Sequence, residues 1–254
     1  MAKVRTRAAW ASELLKAAKI LKPRGEGPFP LVFLLHGCGG VRPFLDVYAQ
    51  AALKAGYAVI IPDSFKPRGL GRLTGSALVC TGAILQGAER SADLYALYDW
   101  ARREPWVDPD RIAAAGWSHG SWAIMDALAL GEHAEKFSRL SDLPAEPLDG
   151  LKAAILVYPY AGYPAITTNR GWGRTRPRVF ALIGGKDQVV GHRLPGRAID
   201  RLERDGLHVE RLVFPDATHA FEDEKASDPR SRYRPDLRDQ AVDWFQAALK
   251  SSFA

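Results

Sequence analysis

Short apolar runs alternate along this chain with stretches whose apolar positions recur at helical spacing. Phe29–Leu35 (FPLVFLL), Tyr57–Pro62 (YAVIIP), a run at Ile112, Leu151–Tyr158 (LKAAILVY), Val179–Gly185 (VFALIGG) and His208–Phe214 (HVERLVF) are too short for helices and are closed by glycine, proline or polar residues. Such runs predict strands buried in a sheet. Helices are predicted over RPFLDVYAQAALKAG, which ends at Gly56; over Ala83–Arg103, with Leu94, Leu97, Tyr98 and Ala101 on one side; over SWAIMDALAL; over Pro195–Arg204; and over Asp236–Leu249. Strand and helix in alternation predict an α/β fold, with a mostly parallel central sheet and helices on both faces. Ligands of such sheets bind beyond the carboxyl ends of the strands. Three stretches fall outside the alternation: a Gly/Pro/Arg-rich connection from Asp63 to Gly82, a turn at Val107–Asp110, and a polar surface excursion from Gly131 to Gly150.

Composition adds boundaries. The chain has 254 residues, 47% hydrophobic and 25% charged, without a linker, charge block or repeat that would mark a seam. A single domain over 1–254 is expected, with residues 1–20 as an N-terminal extension. No run approaches the roughly 18 apolar residues of a membrane helix. The start, MAKVRTRAAWASELLKAAKI, lacks the apolar core and cleavage site of a signal peptide, so a cytoplasmic location is expected. The net charge of +6 is concentrated only at Arg170, Arg174, Arg176 and Arg178 around Trp172. That cluster reads as a solvated loop or an attractor of anionic substrates, and not as the basic stripe with aromatics of a nucleic-acid binder. The two cysteines, Cys38 and Cys80, have no metal-like spacing and are expected as thiols in a cytosolic protein.

The candidate chemistry lies at strand ends. Arg111–Gly120 (RIAAAGWSHG) runs from a strand into a helix through Gly-x-Ser-x-Gly, the nucleophile elbow of the α/β-hydrolase fold, which makes Ser118 the candidate nucleophile. A serine hydroxyl needs a base, and the base needs an acid to orient it. On this fold the order is serine, acid, histidine, so only His192, His208 and His219 lie far enough downstream. His219 leaves the carboxyl end of a strand in PDATHAF and is the expected base; His208 is at the wrong end of that strand. Asp187 in GGKDQVV is the expected acid, against Asp216 as a local turn cap. The oxyanion hole is expected from the backbone N–H groups of His119 and of Cys38, the latter in the glycine-rich HGCGG loop. No Lys-Ser/Thr follows that loop, so a phosphate-binding P-loop is excluded.

HGCGG, PDSFKPRG (Pro62–Gly69), VDPDRI, GWSHG, GGKD and THAF together resemble the dienelactone hydrolase-related branch of the α/β-hydrolases, over roughly Leu21 to Leu249. The resemblance implies Ser118, Asp187 and His219 as triad, with Cys38 and His119 supplying the oxyanion amides. Dienelactone hydrolase proper has a cysteine at the elbow where this chain has serine, which points toward ordinary ester hydrolysis. The chain is also similar, in its HGC after the first buried strand, to secreted polyhydroxyalkanoate depolymerases and feruloyl esterases. By that likeness Cys38 and Cys80 could be bonded, if the loop of Cys80 folds over the site; the alternative is two thiols.

The expected function is a serine hydrolase acting on a small-molecule ester or lactone through an acyl-enzyme, with no cofactor and no metal. A short-peptide hydrolase and a non-catalytic ligand-binding protein on the same scaffold are the alternatives. Arg68, Trp117 and Tyr158 are the expected substrate contacts, Arg68 because a guanidinium can hold a carboxylate bidentately. Trp122, Phe65, Tyr160, Tyr163 and Trp172 are the other aromatics near strand ends.

Overall fold

The computed structural model describes residues 4–71, 78–80 and 82–253. Seven strands form one sheet in the order β1–β3–β2–β4–β5–β6–β7. They are β1 (Lys19–Leu21), β2 (Phe29–Leu35), β3 (Ala58–Ile61), β4 (Val107–Trp117), β5 (Ala153–Val157), β6 (Arg178–Gly184) and β7 (Val209–Phe214). β1 lies antiparallel on β3, and every other pairing is parallel. The helices are α1 (Arg7–Leu15), α2 (Phe44–Lys54), α3 (Gly87–Ala101), α4 (His119–Ala129), a short α5 (Ala134–Ser138), α6 (Arg193–Arg204) and α7 (Pro235–Ser251).

The pleat of β2 divides the core. Phe33 and Leu35 point into a cluster with Trp10, Leu14, Tyr95 and Ile124, contributed by α1, α3 and α4. Val32 and Leu34 point the other way, onto Leu45 and Tyr48 of α2 and Phe245 and Leu249 of α7. Adjacent strand residues face opposite layers, so the uninterrupted apolar run serves two cores at once. Each fully buried side chain of this size contributes about 1.5–3 kcal/mol of transfer free energy.

The architecture expected from the alternating pattern is the one observed, and four details differ. Val107–Asp110 is the opening of β4 and not a turn. Val107 pairs with Phe29 and Ile112 with Leu31, and a register shift between them absorbs the extra residues. Residues 1–20 are more than an extension. Thr6 caps α1 by accepting from the Ala9 N–H at 3.2 Å, Trp10, Ala11 and Leu14 are buried, and Lys19–Leu21 forms the antiparallel strand. Three apolar positions in a nine-residue helix make too weak a stripe to stand out in sequence.

The Gly131–Gly150 excursion carries α5 and buries Leu140 and Leu148. Leu140 forms a β-bridge with Arg5, so this segment and the N-terminus hold each other. The connection from Asp63 to Gly82 begins with an Asx turn in which Asp63 Oδ1 accepts from the N–H groups of Phe65 and Lys66. A turn of 3-10 helix follows at Lys66–Arg68; residues 72–77 and 81 of the connection lie outside the described residues.

The two cysteines are not thiols. Cys38 and Cys80 form a disulfide across 42 residues, with Cα atoms 5.1 Å apart. The connection does fold back toward the HGCGG loop, which composition alone did not require. No helix among the described residues is long and apolar enough to cross a membrane.

Closing a loop of this length restricts the unfolded chain, so reduction should lower stability by about 2–4 kcal/mol. Urea unfolding with and without dithiothreitol, beside Cys80→Ala, measures it. The variant should match the reduced wild type and be insensitive to reductant.

Candidate active site

At the carboxyl end of β4 the chain turns within one residue into α4. Ser118, at the turn, has φ 52° and ψ −111°, a left-handed conformation that costs an L-residue about 1–3 kcal/mol. Its neighbours explain why the motif needs glycine. A Cβ on Gly120 would stand 2.1 Å from the Leu35 carbonyl oxygen, and one on Gly116 would stand 2.4 Å from the Gly120 carbonyl carbon. The Ser118 N–H donates to the Val157 carbonyl at 2.9 Å, fixing the turn against β5.

The structure brings the three expected residues together. His219, in the loop after β7, places Nε2 3.0 Å from Ser118 Oγ. Its Nδ1–H donates to Asp187 Oδ2 at 2.7 Å. Asp187 follows β6, and its Oδ1 accepts the N–H groups of Val189 and Val190 at 2.9 and 3.0 Å. With one oxygen held by the backbone, the other is fixed toward His219, and the ring is locked in the tautomer whose Nε2 can accept a proton. All three side chains are buried. The competing residues lie elsewhere in the hydrogen-bond network: Asp216 pairs with Lys186, His208 with Glu210, and His192 precedes α6.

The HGCGG loop abuts Ser118: a Cβ on Gly37 would lie 3.6 Å from Ser118 Cβ and 3.4 Å from the Trp117 carbonyl oxygen. His119 is the first residue of α4, so its N–H has no intrahelical acceptor. Beneath the two loops sits Arg90, fully buried on α3. Nε donates to Ser64 Oγ at 2.9 Å, and Nη1 donates to the His36 carbonyl at 2.7 Å and to His119 Nδ1 at 3.1 Å.

The His119 Nε2–H in turn donates to the Leu85 carbonyl at 2.7 Å. Burial, then the Arg90 charge, pushes the His119 ring down to about 3, so it is neutral at any ordinary pH. The same causes hold His36 well below its usual range, and its Nε2 accepts from the Ser64 N–H at 3.1 Å. Burial lowers Arg90 itself to about 10, which leaves it charged at neutral pH.

The expected substrate contacts are occupied by the protein. Arg68 donates bidentately to Asp93, at 3.0 and 2.7 Å, with its guanidinium 4.7 Å above the Trp10 ring. The carboxylate it holds is therefore internal. Trp117 is fully buried, its indole N–H donating to Glu222 Oε1 at 3.0 Å. Tyr158, at φ 35° and 3% exposed, lies with its ring 4.6 Å from that of His219 and packs against it. The arginine cluster is likewise divided: Arg174 reaches Glu146, Arg176 the Asp205 carbonyl, and Arg178 Glu210.

Among the buried ionisable groups that sequence reasoning missed are Arg90, Glu222 and Asp126. Burial raises Glu222 to about 7, while its Oε1 accepts from Trp117 Nε1 at 3.0 Å and from the Tyr48 hydroxyl at 3.4 Å, and its Oε2 has no partner among the described residues. Burial also raises Asp126 to about 7, while its carboxylate accepts from Trp122 Nε1 and from the N–H groups of Ile166 and Thr167. Asp126 is a lone carboxylate in the apolar AIMDALAL, whereas Arg90 in GAERSAD and Glu222 in AFEDEK stand beside other polar residues, where nothing separates them from solvated positions.

A cavity of about 540 Å³ opens between the loops after β5 and β6 beside α5, lined among others by Phe137, Tyr163, Ile166, Arg170 and Leu194. Another of about 330 Å³ lies against α1, lined by Arg5, Trp10, Arg68, Leu85 and Phe137. Neither is lined by a member of the Ser118–His219–Asp187 set. No group of three or more histidine, cysteine or carboxylate side chains that could hold a metal ion occurs among the described residues.

Known proteins agree with this geometry at the level of fold. The model of the prolyl oligopeptidase family matches residues 45–140. A dienelactone hydrolase-like promiscuous phosphotriesterase from metagenomic libraries superposes with a TM-score of 0.72 at 16% identity, covering 92% of this chain and 91% of that one. The chain has the α/β-hydrolase fold, and the resemblance to the dienelactone hydrolase-related branch expected from the motifs holds over nearly its full length. A "Putative carboxymethylenebutenolidase" of Methylorubrum extorquens is 24% identical over 242 residues, 88% of this chain and 74% of that protein. An "Uncharacterized 31.7 kDa protein in traX-finO intergenic region" of Escherichia coli is 32% identical over 108 residues, 42% of this chain. That match spans only 35% of the length of the Escherichia coli protein.

Gly120→Ala should fail to fold stably, at a cost above about 4 kcal/mol, because neither backbone in contact can retreat. Thermal unfolding and soluble yield read the loss. Glu222 has a signed pH effect. Its folded value near 7 against 4.5 unfolded means that folding takes up a proton between those pH values, so its contribution to stability falls as pH rises through that window. Glu222→Gln should therefore gain roughly 1–3 kcal/mol over wild type at pH 8 and nothing at pH 4, by urea unfolding at both.

Proposed function

We propose that the chain is a serine hydrolase that cleaves a carboxylic ester or lactone through an acyl-enzyme. The observation that carries this reading is the continuous path from Ser118 Oγ through His219 to Asp187, at 3.0 and 2.7 Å, on a strained elbow. His219 Nε2 takes the hydroxyl proton as Ser118 Oγ bonds to the carbonyl carbon. The carbonyl π electrons move to oxygen, which the N–H groups of Cys38 and His119 then hold. Collapse expels the alkoxide, which takes the proton from His219. Water then adds to the acyl carbon with His219 again as base, and Ser118 leaves as its hydroxyl with the acid as product. In a lactone the alkoxide and acid belong to one molecule. Asp187 orients the imidazole and stabilises the imidazolium.

The names of a dienelactone hydrolase-like phosphotriesterase and of a putative carboxymethylenebutenolidase among the similar proteins support an ester or lactone as the substrate class. The family-model match favours a second reading, a short-peptide hydrolase; its span contains Ser118 but ends before Asp187 and His219. The disulfide favours an oxidising compartment over the cytoplasmic location expected from the chain's start.

Burst kinetics on p-nitrophenyl esters of increasing acyl length, with p-nitroanilide peptides in parallel, test the reading. Wild type should turn over the esters faster than the anilides. Ser118→Ala should lose activity by a factor of about 10⁶ and lose labelling by a fluorophosphonate. An unlabelled, inactive wild type would instead support a ligand-binding role.

A further inference from the structure

We infer that Arg90 is a positioning residue of the oxyanion hole, one buried cation that sets both of its arms at once. The inference rests on the serine-hydrolase reading and goes beyond it, because it concerns a buried residue outside the Ser118–His219–Asp187 set. Each amide expected to hold the oxyanion belongs to a different segment. The Cys38 amide lies two residues beyond the end of β2's carboxyl extension at His36, and the His119 amide opens α4. Stabilisation of a tetrahedral oxygen requires the two N–H groups to be fixed relative to each other before the reaction. Arg90 Nη1 donates to the His36 carbonyl at 2.7 Å and to His119 Nδ1 at 3.1 Å. The same nitrogen therefore ties the two segments together.

The remaining bonds hold the guanidinium in one plane. Nε donates to Ser64 Oγ at 2.9 Å, and the Ser64 N–H donates to the His36 ring, so the loop after β3 belongs to the same assembly. His119 is held from its far side by the Leu85 carbonyl, and its ring packs at 4.9 Å against Trp122. Leu85, at φ 52°, lies beside Val79 and Phe65, next to the disulfide that holds the side chain of Cys38. Counter-charge comes from Asp93, which is engaged by Arg68 and by the Trp10 indole.

No other side chain type fits these demands. Three acceptors in fixed directions need the planar fork of arginine; lysine has a point charge on a flexible stem. Its Nη2 has no partner among the described residues, so burying this cation costs free energy that an apolar residue would not. Packing alone does not account for it.

The test compares Arg90→Met, Arg90→Lys and wild type with p-nitrophenyl butyrate, counting active sites by burst amplitude so that misfolded molecules are excluded. Per-site kcat of Arg90→Met should fall about 100-fold with KM unchanged within about twofold. Arg90→Lys should recover little of it. Phenylboronic acid, which forms a tetrahedral adduct on Ser118, should lose affinity by the same factor as kcat/KM. If Arg90→Met does not fold, His119→Leu keeps the amide and removes only the ring acceptor, and its per-site kcat should fall roughly tenfold with the boronate affinity. Wild-type per-site kcat and boronate affinity in every variant that folds would overturn the inference, as would a loss seen only as fewer titratable sites. A wild type that neither hydrolyses esters nor is labelled by a fluorophosphonate removes the serine-hydrolase reading itself, and this inference with it.

Discussion

The contact on which the site depends is one of backbone against backbone. α4 starts so close to the end of β2 that Gly120 has no room for a single methyl group before the Leu35 carbonyl. That approach holds Ser118 at its positive φ and sets its hydroxyl above the sheet. It also leaves the N-terminal amides of α4 pointing into the same space. The His219 and Asp187 loops come from different strands, yet they meet Ser118 because β4, β5, β6 and β7 are in parallel register and end at one level. Geometry at the site is therefore inherited from the sheet, and the glycines are the condition for docking the helix on it.

Around that contact the polar groups fall into two systems. One, around His219, contains Asp187, the Tyr158 ring, and Glu222 under Trp117. The other, behind the HGCGG loop, contains Arg90, His36, Ser64 and His119. Both are almost wholly buried, where hydrogen bonds are electrostatically strong and unpaired groups are costly. The two neutral histidines and the cation between them form an ordered acceptor–donor sequence with a single arrangement of protons. Such a network contributes little net stability but rejects alternative loop positions.

Much of the site was legible in the sequence. Gly-x-Ser-x-Gly, His219 and Asp187 sit where strand ends predict them, since strand order and side-chain role constrain each other on a parallel sheet. The substrate contacts were not legible. Arg68, Trp117 and Tyr158 have the chemistry of binding residues, and their partners Asp93, Glu222 and His219 lie 25 to 105 positions away or on another strand end. Pattern along a chain reports which residues face a core; it carries nothing about which distant carboxylate they will meet there. The same blindness hid α1, whose three buried residues are meaningful only against α3, and the partner of each cysteine.

The outer strand of the sheet has a consequence for how the molecule behaves in company. Among the described residues β7 has no neighbour on its far side, and along it Glu210 and Arg211 are exposed on opposite faces, Arg211 braced by Asp200 and Glu203 of α6. A neighbouring copy attempting to extend the sheet would have to strip water from those charges while aligning them in register. Exposed Val213 is the apolar exception on the Arg211 face. Crowding should thus bring copies together by other surfaces, and the sheet should remain closed to strand addition at its β7 margin.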